Sequence, residues 1–440
     1  MSLPHSPSAT ERLTLAGGLP LVIHPRRGPA ILAARLVIRG GSSRDPAGAR
    51  GAHQLLAGLM TRGCGDLDAE ALADRVEGAG AALRAEAHED GLVIGLKCAA
   101  ADAAELLPLL LEMVVRPTLA SDQVELERQL NLQTLQRQRE DPFQLAHDQL
   151  RHQLYGHGPY GHDPLGVEDE LATLEATDLR PLQRRLGQDG AVLVLCGEVP
   201  SGVEQLLVTG AEAEAWSTHL PGAPEAWESS ARSAAPPPHG PRLATEAQDT
   251  EQLVLMLGSA TIPMGHPDAL ALRLLQTHLG MGMSCRLFVV MREERGLAYD
   301  VGVHLPARCG AAPFVLHLST SADRAAEATT CLLDEWQRLQ EELLTEEERQ
   351  LALAKLVGQE AMGRQTCSQI AERDALVLSH GLPADHVERM LAQAPGLDAG
   401  ALRAAARRCL APPCLSLVGP QAALAAACGA WERHALGVSP

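Results

Sequence analysis

A chain of 440 residues with 46 % hydrophobic side chains can bury a sizeable core and exceeds one ordinary domain, so two domains are expected. The formal net charge of −18, with lysine only at Lys97 and Lys355, argues against a nucleic-acid partner, which needs a clustered basic face. No apolar run approaches the ~20 residues of a bilayer span, residues 1–18 lack the basic start and apolar stretch of a signal peptide, and the ten cysteines are scattered without a C-x-x-C pair. The expectation is a soluble, cytoplasmic protein with reduced thiols and no membrane partner.

In chain order, residues 31–38 form an apolar run that ends in Gly40-Gly41-Ser42 and predicts a strand, followed by a short helix around His53. A helix over 68–77, a strand pair over 81–98, a helix over 101–114 and a longer helix from Ser121 come next. Apolar residues recur every three or four positions in the helices, as at Leu106, Leu109, Leu110 and Met113, and alternate in the strands, as at Leu92, Ile94 and Leu96. Residues 229–242 contain Pro236-Pro237-Pro238 and His239-Gly240-Pro241, a density no helix or central strand tolerates, and read as a linker.

Beyond it the pattern begins again. Residues 252–257 end in Gly258-Ser259, and helices are predicted at 267–279 and 284–294, strands at 298–305 and 313–319, and long helices at 322–341 and 345–362. The order of elements is the same, and Glu127-Arg128-Gln129-Leu130 and Glu348-Arg349-Gln350-Leu351 both open the long helix of their half. The chain therefore reads as an N-terminal half (1–228), a Pro-rich linker (229–242) and a C-terminal half (243–440). Strand pairs mixed with helix pairs predict α+β halves, each a mostly antiparallel sheet with helices packed on one face.

The short helix of the first half reads Gly51-Ala52-His53-Gln54-Leu55-Leu56-Ala57-Gly58-Leu59-Met60-Thr61-Arg62-Gly63. This is the layout of the inverted zinc motif H-x-x-E-H, in which two histidines on one helical face hold the metal and a glutamate activates water. Only His53 is present. Leu56 stands at the glutamate position and Ala57 at that of the second histidine, and neither side chain can bind a metal.

With this degenerate helix, its duplicated halves and its length, the chain resembles a subunit of the pitrilysin/insulinase family of zinc peptidases. The similarity is to the short dimeric type that includes the mitochondrial processing peptidase and its bacterial relatives. The resemblance implies a third ligand on a helix of pattern E-R-x-x-x-x-x-E. Here that helix reads Glu127-Arg128-Gln129-Leu130-Asn131-Leu132-Gln133-Thr134, followed by the family-like Arg139-Glu140-Asp141-Pro142, and Thr134 stands where the ligand is expected. Loss of even a partner behind a ligand costs roughly 10- to 100-fold in affinity or activity, so loss of two ligands and the base predicts no metal in this chain. His53 then reads as an ordinary helix residue at an interior surface.

The second half follows the family more closely. Met281-Gly282-Met283-Ser284-Cys285-Arg286-Leu287-Phe288 leads into Met291-Arg292-Glu293-Glu294-Arg295-Gly296-Leu297-Ala298-Tyr299, which is similar to the family segment G-G-G-M-S-S-R-L-F…L-R-E-x-R-G-L-A-Y. By resemblance, Arg292 and Tyr299 reach into a zinc site formed by another half or subunit, Tyr299 as oxyanion donor and Arg292 as substrate clamp. The plainer alternative is an exposed helical arginine beside Glu293 and Glu294, with Tyr299 filling the start of a strand. Arg286 competes for the arginine role.

Three further features are weighed the same way. Residues 83–87 match the family's substrate-pairing edge strand, with Arg84 in place of the usual asparagine. His147, His152, His157 and His162 invite a metal, yet Tyr155-Gly156-His157-Gly158-Pro159-Tyr160-Gly161 resembles the family's G-x-x-P-Y-G loop. Gly280-Met281-Gly282 is similar, in two glycines, to the glycine-rich loop of the non-catalytic processing-peptidase subunit.

The resemblance implies the non-catalytic subunit of a heterodimeric zinc metallopeptidase, inactive alone, acting on peptides or unfolded segments. Its partner would be a homologous H-x-x-E-H subunit that carries the zinc, with a homodimer in isolation left open as the alternative. The alternative is a catalytically inactive peptide-binding or structural scaffold of the same fold.

Overall fold

The computed structural model describes residues 10–15, 18–207 and 238–438; positions 229–237 of the expected linker lie outside the described residues. Chain contacts divide the protein into two units, one of residues 1–135, 163–223 and 361–384, the other of 136–162, 224–360 and 385–440.

The first unit is built on β1 (Glu11–Thr14), β2 (Pro20–Pro25), β3 (Ile31–Arg39), β4 (Ala82–Ala87), β5 (Gly91–Ala99) and β6 (Ala191–Gly197), in the order β1-β2-β6-β3-β5-β4. Only β2 and β6 run parallel; the remaining pairs are antiparallel. The second unit uses β7 (Leu243–Ala247), β8 (Gln252–Ala260), β9 (Asp300–His304), β10 (Pro313–Ser321) and β11 (Cys414–Gly419), in the order β7-β11-β8-β10-β9. Here too one pair, β7 and β11, is parallel. Strand for strand the second sheet repeats the first without β1. The duplication read from element order is thus a duplication of topology.

The helices α1 (Ala52–Met60), α2 (Ala69–Gly78), α3 (Ala103–Val115), α4 (Ser121–Gln138) and α5 (Pro142–Tyr155) belong to the first half of the sequence. Their counterparts are α6 (Ala269–Gly280), a π-helix (Phe288–Glu294), α7 (Ala325–Glu341), α8 (Glu346–Met362) and α9 (Cys367–Ser379). Local sequence explains their starts. Asp68 accepts from Ala71 N (2.9 Å), Asp141 from Phe143 N (2.9 Å) ahead of Pro142, and Thr366 and Gln369 form a reciprocal capping box.

Each sheet buries both faces. In β3, Leu32, Leu36 and Ile38 join the main core with Leu193 and Leu195 of β6, while Ala33 and Val37 point the other way with Val192, Val194 and Cys196. That alternation is the period of two expected of a strand, apolar on both sides because both sides are covered.

The helices that cover the second faces come from the opposite half of the sequence. α9 lays Cys367, Ala371 and Ala375 on the first sheet, and α5 lays Ala146, Leu150 and Leu154 against Val254, Met256, Val315 and Val418 of the second. Spacings of four residues put each of these triplets on one helical stripe. Among the described residues, helices thus lie on both faces of each sheet, a thick layer on one and a single helix on the other.

Candidate functional site

The degenerate metal helix is held by its preceding loop. Gly51, at φ 103°, begins α1 without a side chain, and Asp45 supplies the missing cap: one carboxylate oxygen accepts from Gly51 N (2.7 Å), the other from His53 N (3.0 Å). The same Asp45 oxygen lies 2.7 Å from His53 Nδ1, and both side chains are buried. Asp45 fixes the ring orientation as a carboxylate behind a metal-binding histidine would, but the rest of the donor set is absent. Leu56 and Ala57 are fully buried in the main core, and the Thr134 hydroxyl donates to Leu130 O one turn back (2.9 Å). One imidazole nitrogen does not make a zinc site, and the residues present do not fit the ion.

Where α1 meets α4, Glu127 accepts from Arg62 (3.0 and 3.2 Å) and lies over Gly58, at which a Cβ would stand 2.3 Å from its Oε1. Glu127 is thus a strut between two helices. Its sequence counterpart Glu348 instead closes a capping box with Thr345 at the start of α8. The shared tetrapeptide opens α8, whereas in α4 it lies further inside the helix.

The arginine–tyrosine segment is differently built. Residues 288–294 form a π-helix rather than the α-helix the pattern predicts, a rare winding that is frequent at functional sites. Leu287 and Met291 anchor it in the core, and Phe288 and Arg292 come together on its outer side. The Arg292 guanidinium lies 4.8 Å from the Phe288 ring and 4.9 Å from the Tyr299 ring, and donates to Tyr299 O (3.2 Å). Tyr299 is 81 % exposed, immediately before the edge strand β9. Arg286 is committed elsewhere, to the buried Glu335 (3.0 Å).

Of the remaining candidates, β4 is the edge strand of its sheet among the described residues, with Arg84 exposed, and Gln54 of α1 accepts from its Ala87 N (2.9 Å). Lys355 donates to Met281 O (2.8 Å), fixing the two-glycine loop. The histidines do not converge. His152 and His157 stack edge-on at 5.3 Å and His147 faces His304 at 6.0 Å, and no three of the four bring ligand atoms together among the described residues. Asp45 was missed by the sequence reading; a carboxylate in an irregular loop carries no periodic signal.

Residues 25–166 match the model of the insulinase family (peptidase family M16), and 185–356 match the peptidase M16 inactive domain. The chain belongs to the M16 family. Relatives include an uncharacterized zinc protease of Streptomyces coelicolor, 24 % identical over 94 % of this chain and 91 % of its own length. Another, from Mycobacterium tuberculosis, is 26 % identical over 84 % of each chain. A peptidase M16 inactive domain from Pseudomonas fluorescens superposes with a TM-score of 0.82 at 23 % identity, covering 94 % of this chain and 98 % of that one. A chain of complex III2 from Candida albicans does so with a TM-score of 0.73 at 13 % identity, covering 93 % and 96 %. These two likenesses concern the fold. No helix among the described residues is long and apolar enough to cross a membrane.

Proposed function

We propose that this M16 chain is the non-catalytic subunit of a heterodimeric zinc peptidase, inactive alone, whose homologous H-x-x-E-H partner supplies the zinc and the general base. The observation that carries the reading is a contrast within one chain: Leu56, Ala57 and Thr134 have no metal chemistry, while Arg292 and Tyr299 remain as a stacked pair presented to solvent.

The chemistry of that pair suits a peptide under attack. As a carbonyl carbon becomes tetrahedral, charge grows on its oxygen, and a fixed phenol O–H donates more strongly to that oxygen in the transition state than before it. Arg292, whose guanidinium lies over both the Phe288 and the Tyr299 rings, keeps guanidinium protons for a neighbouring substrate carbonyl. Peptides or unfolded segments are the substrate class, since an extended chain can lie along a sheet edge such as β4. The ten thiols, all free, suit a reducing compartment such as the cytoplasm.

The test is hydrolysis of a quenched fluorescent peptide by this chain, by an H-x-x-E-H homologue and by their mixture, with and without chelator. Chelator-sensitive activity in the mixture alone supports the reading. Full activity of the homologue by itself, with no complex formed, replaces it with the scaffold reading, which the fold shared with a complex III2 chain keeps in view.

A further inference from the structure

Within the second unit a cavity of about 200 Å³ opens between α6, the π-helix and α8. It is smaller than the roughly 300–1,000 Å³ of sites for drug-sized ligands, so its occupant is a group the size of one amino-acid residue. One wall is apolar, formed by Val289 and Val290 of the π-helix with Leu351 and Ala352 of α8. The other is charged, and its groups divide by what already holds them. Arg286 donates to the buried Glu335 (3.0 Å) and lies 3.6 Å from Glu348, whose carboxylate accepts from Thr345 N (2.8 Å). That cluster satisfies itself.

His278 and Lys355 are left. His278 is only 9 % exposed, lines the cavity and makes no hydrogen bond or ion pair among the described residues. A buried polar group without a partner is uncommon and destabilising, and a ligand would supply the partner. Burial holds His278 down to about 4, so at neutral pH the ring is uncharged and keeps one N–H donor. Lys355 uses one ammonium proton on Met281 O (2.8 Å) and keeps two. It follows Glu348 by seven residues, as Thr134 follows Glu127, so the second half carries a cation at the register where the first is expected to carry a metal ligand. That register suits an anion.

We propose that this cavity binds the α-carboxylate of an aliphatic amino-acid residue, whether a free amino acid or the C-terminus of a peptide. Lys355 and the His278 N–H hold the carboxylate, and Val289, Val290 and Leu351 cover the side chain. The exposed Glu294, also lining the cavity, suits the α-ammonium of a free amino acid. Every residue involved belongs to this chain, so binding requires no zinc subunit and is tested apart from the proposed peptidase complex.

The experiment is isothermal titration calorimetry on the full chain with L-leucine, Gly-Gly-Leu and Gly-Gly-Leu amide. Saturable binding of at least one of the two carboxylates is expected at concentrations up to about 10 mM, with the uncharged amide weaker by about 10-fold or more. Binding of leucine alone identifies a free amino acid as the ligand, and binding of the peptide alone identifies a peptide C-terminus; binding of both shows that carboxylate and side chain suffice. Lys355→Met is expected to weaken binding about 10- to 100-fold. Leu351→Asp, at a position exposed enough to leave folding intact, sets a negative charge beside the carboxylate and is expected to weaken it likewise. No saturable binding of either carboxylate overturns the proposal. So does an amide that binds as tightly, or unchanged affinity in either variant.

Discussion

The Arg292 guanidinium lies 4.9 Å from the Tyr299 ring and donates to the Tyr299 carbonyl oxygen, so the two residues form one unit joined through both side chain and backbone. The unit ties the guanidinium to the Tyr299 backbone while leaving the phenol in solvent. If the proposed heterodimeric peptidase forms with Tyr299 as its oxyanion donor, Tyr299→Phe is expected to lower kcat about 100-fold with little change in KM. Arg292→Ala is expected to raise KM as well, because it also loosens Tyr299. Steady-state kinetics on the reconstituted pair separates the two effects. Unchanged rates for both variants would remove these residues from the mechanism.

Asp45 and His53 make the opposite kind of pair, buried and structural. Replacing Asp45 by Ala leaves the Gly51 and His53 amides and a ring nitrogen of His53 without their acceptor. The expected cost is about 3 kcal/mol in urea unfolding, from buried donors that lose their partner. Asp45→Asn keeps one acceptor oxygen and should cost less. Equal stability of the alanine variant and wild type would show that α1 does not depend on this cap.

The duplication was legible because periodicity and element order survive in sequence, and the two sheets follow the same strand order. The exchange of α5 and α9 between the sheets was not. Stripes such as Ala146, Leu150 and Leu154 announce a buried face but not the sheet that buries it. The π-helix was hidden for a related reason: the buried Leu287 and Met291 stand four apart and the run Arg292-Glu293-Glu294-Arg295 is polar throughout, a pattern that reads equally well as α. At the candidate site, the loss of ligands could be read residue by residue. The approach of Arg292 to both Phe288 and Tyr299 required the fold.

Rebuilding the motif with Leu56→Glu, Ala57→His and Thr134→Glu tests whether the metal site is merely unfilled or structurally closed. Leu56 and Ala57 are fully buried, so the new carboxylate enters an apolar core and the imidazole overfills an alanine site. The expectation is a loss of stability of about 3 kcal/mol or more, with no stoichiometric zinc by elemental analysis. A triple variant that binds one zinc and is stabilised by it would show that the ancestral geometry persists.

Acid should weaken the second unit through two histidines. Burial, reinforced by the nearby Arg151, His304, Arg308 and His317, holds His147 down to about 3, and burial holds His278 down to about 4 against the partial opposition of Glu348. In the unfolded chain both titrate near 6.5. Below that pH the unfolded state takes up protons that the folded state refuses, so stability is complete above about 6.5 and declines as pH falls toward 4 and then 3. His147→Gln removes one of these proton acceptors and should flatten the fall in urea midpoint between about pH 7 and pH 5. His147 sits on α5, where its Nδ1 lies 3.3 Å from Arg151 Nη2, so protonation there sets two like charges side by side on the helix that covers the second sheet. Parallel pH dependences for variant and wild type would assign the acid sensitivity to other groups.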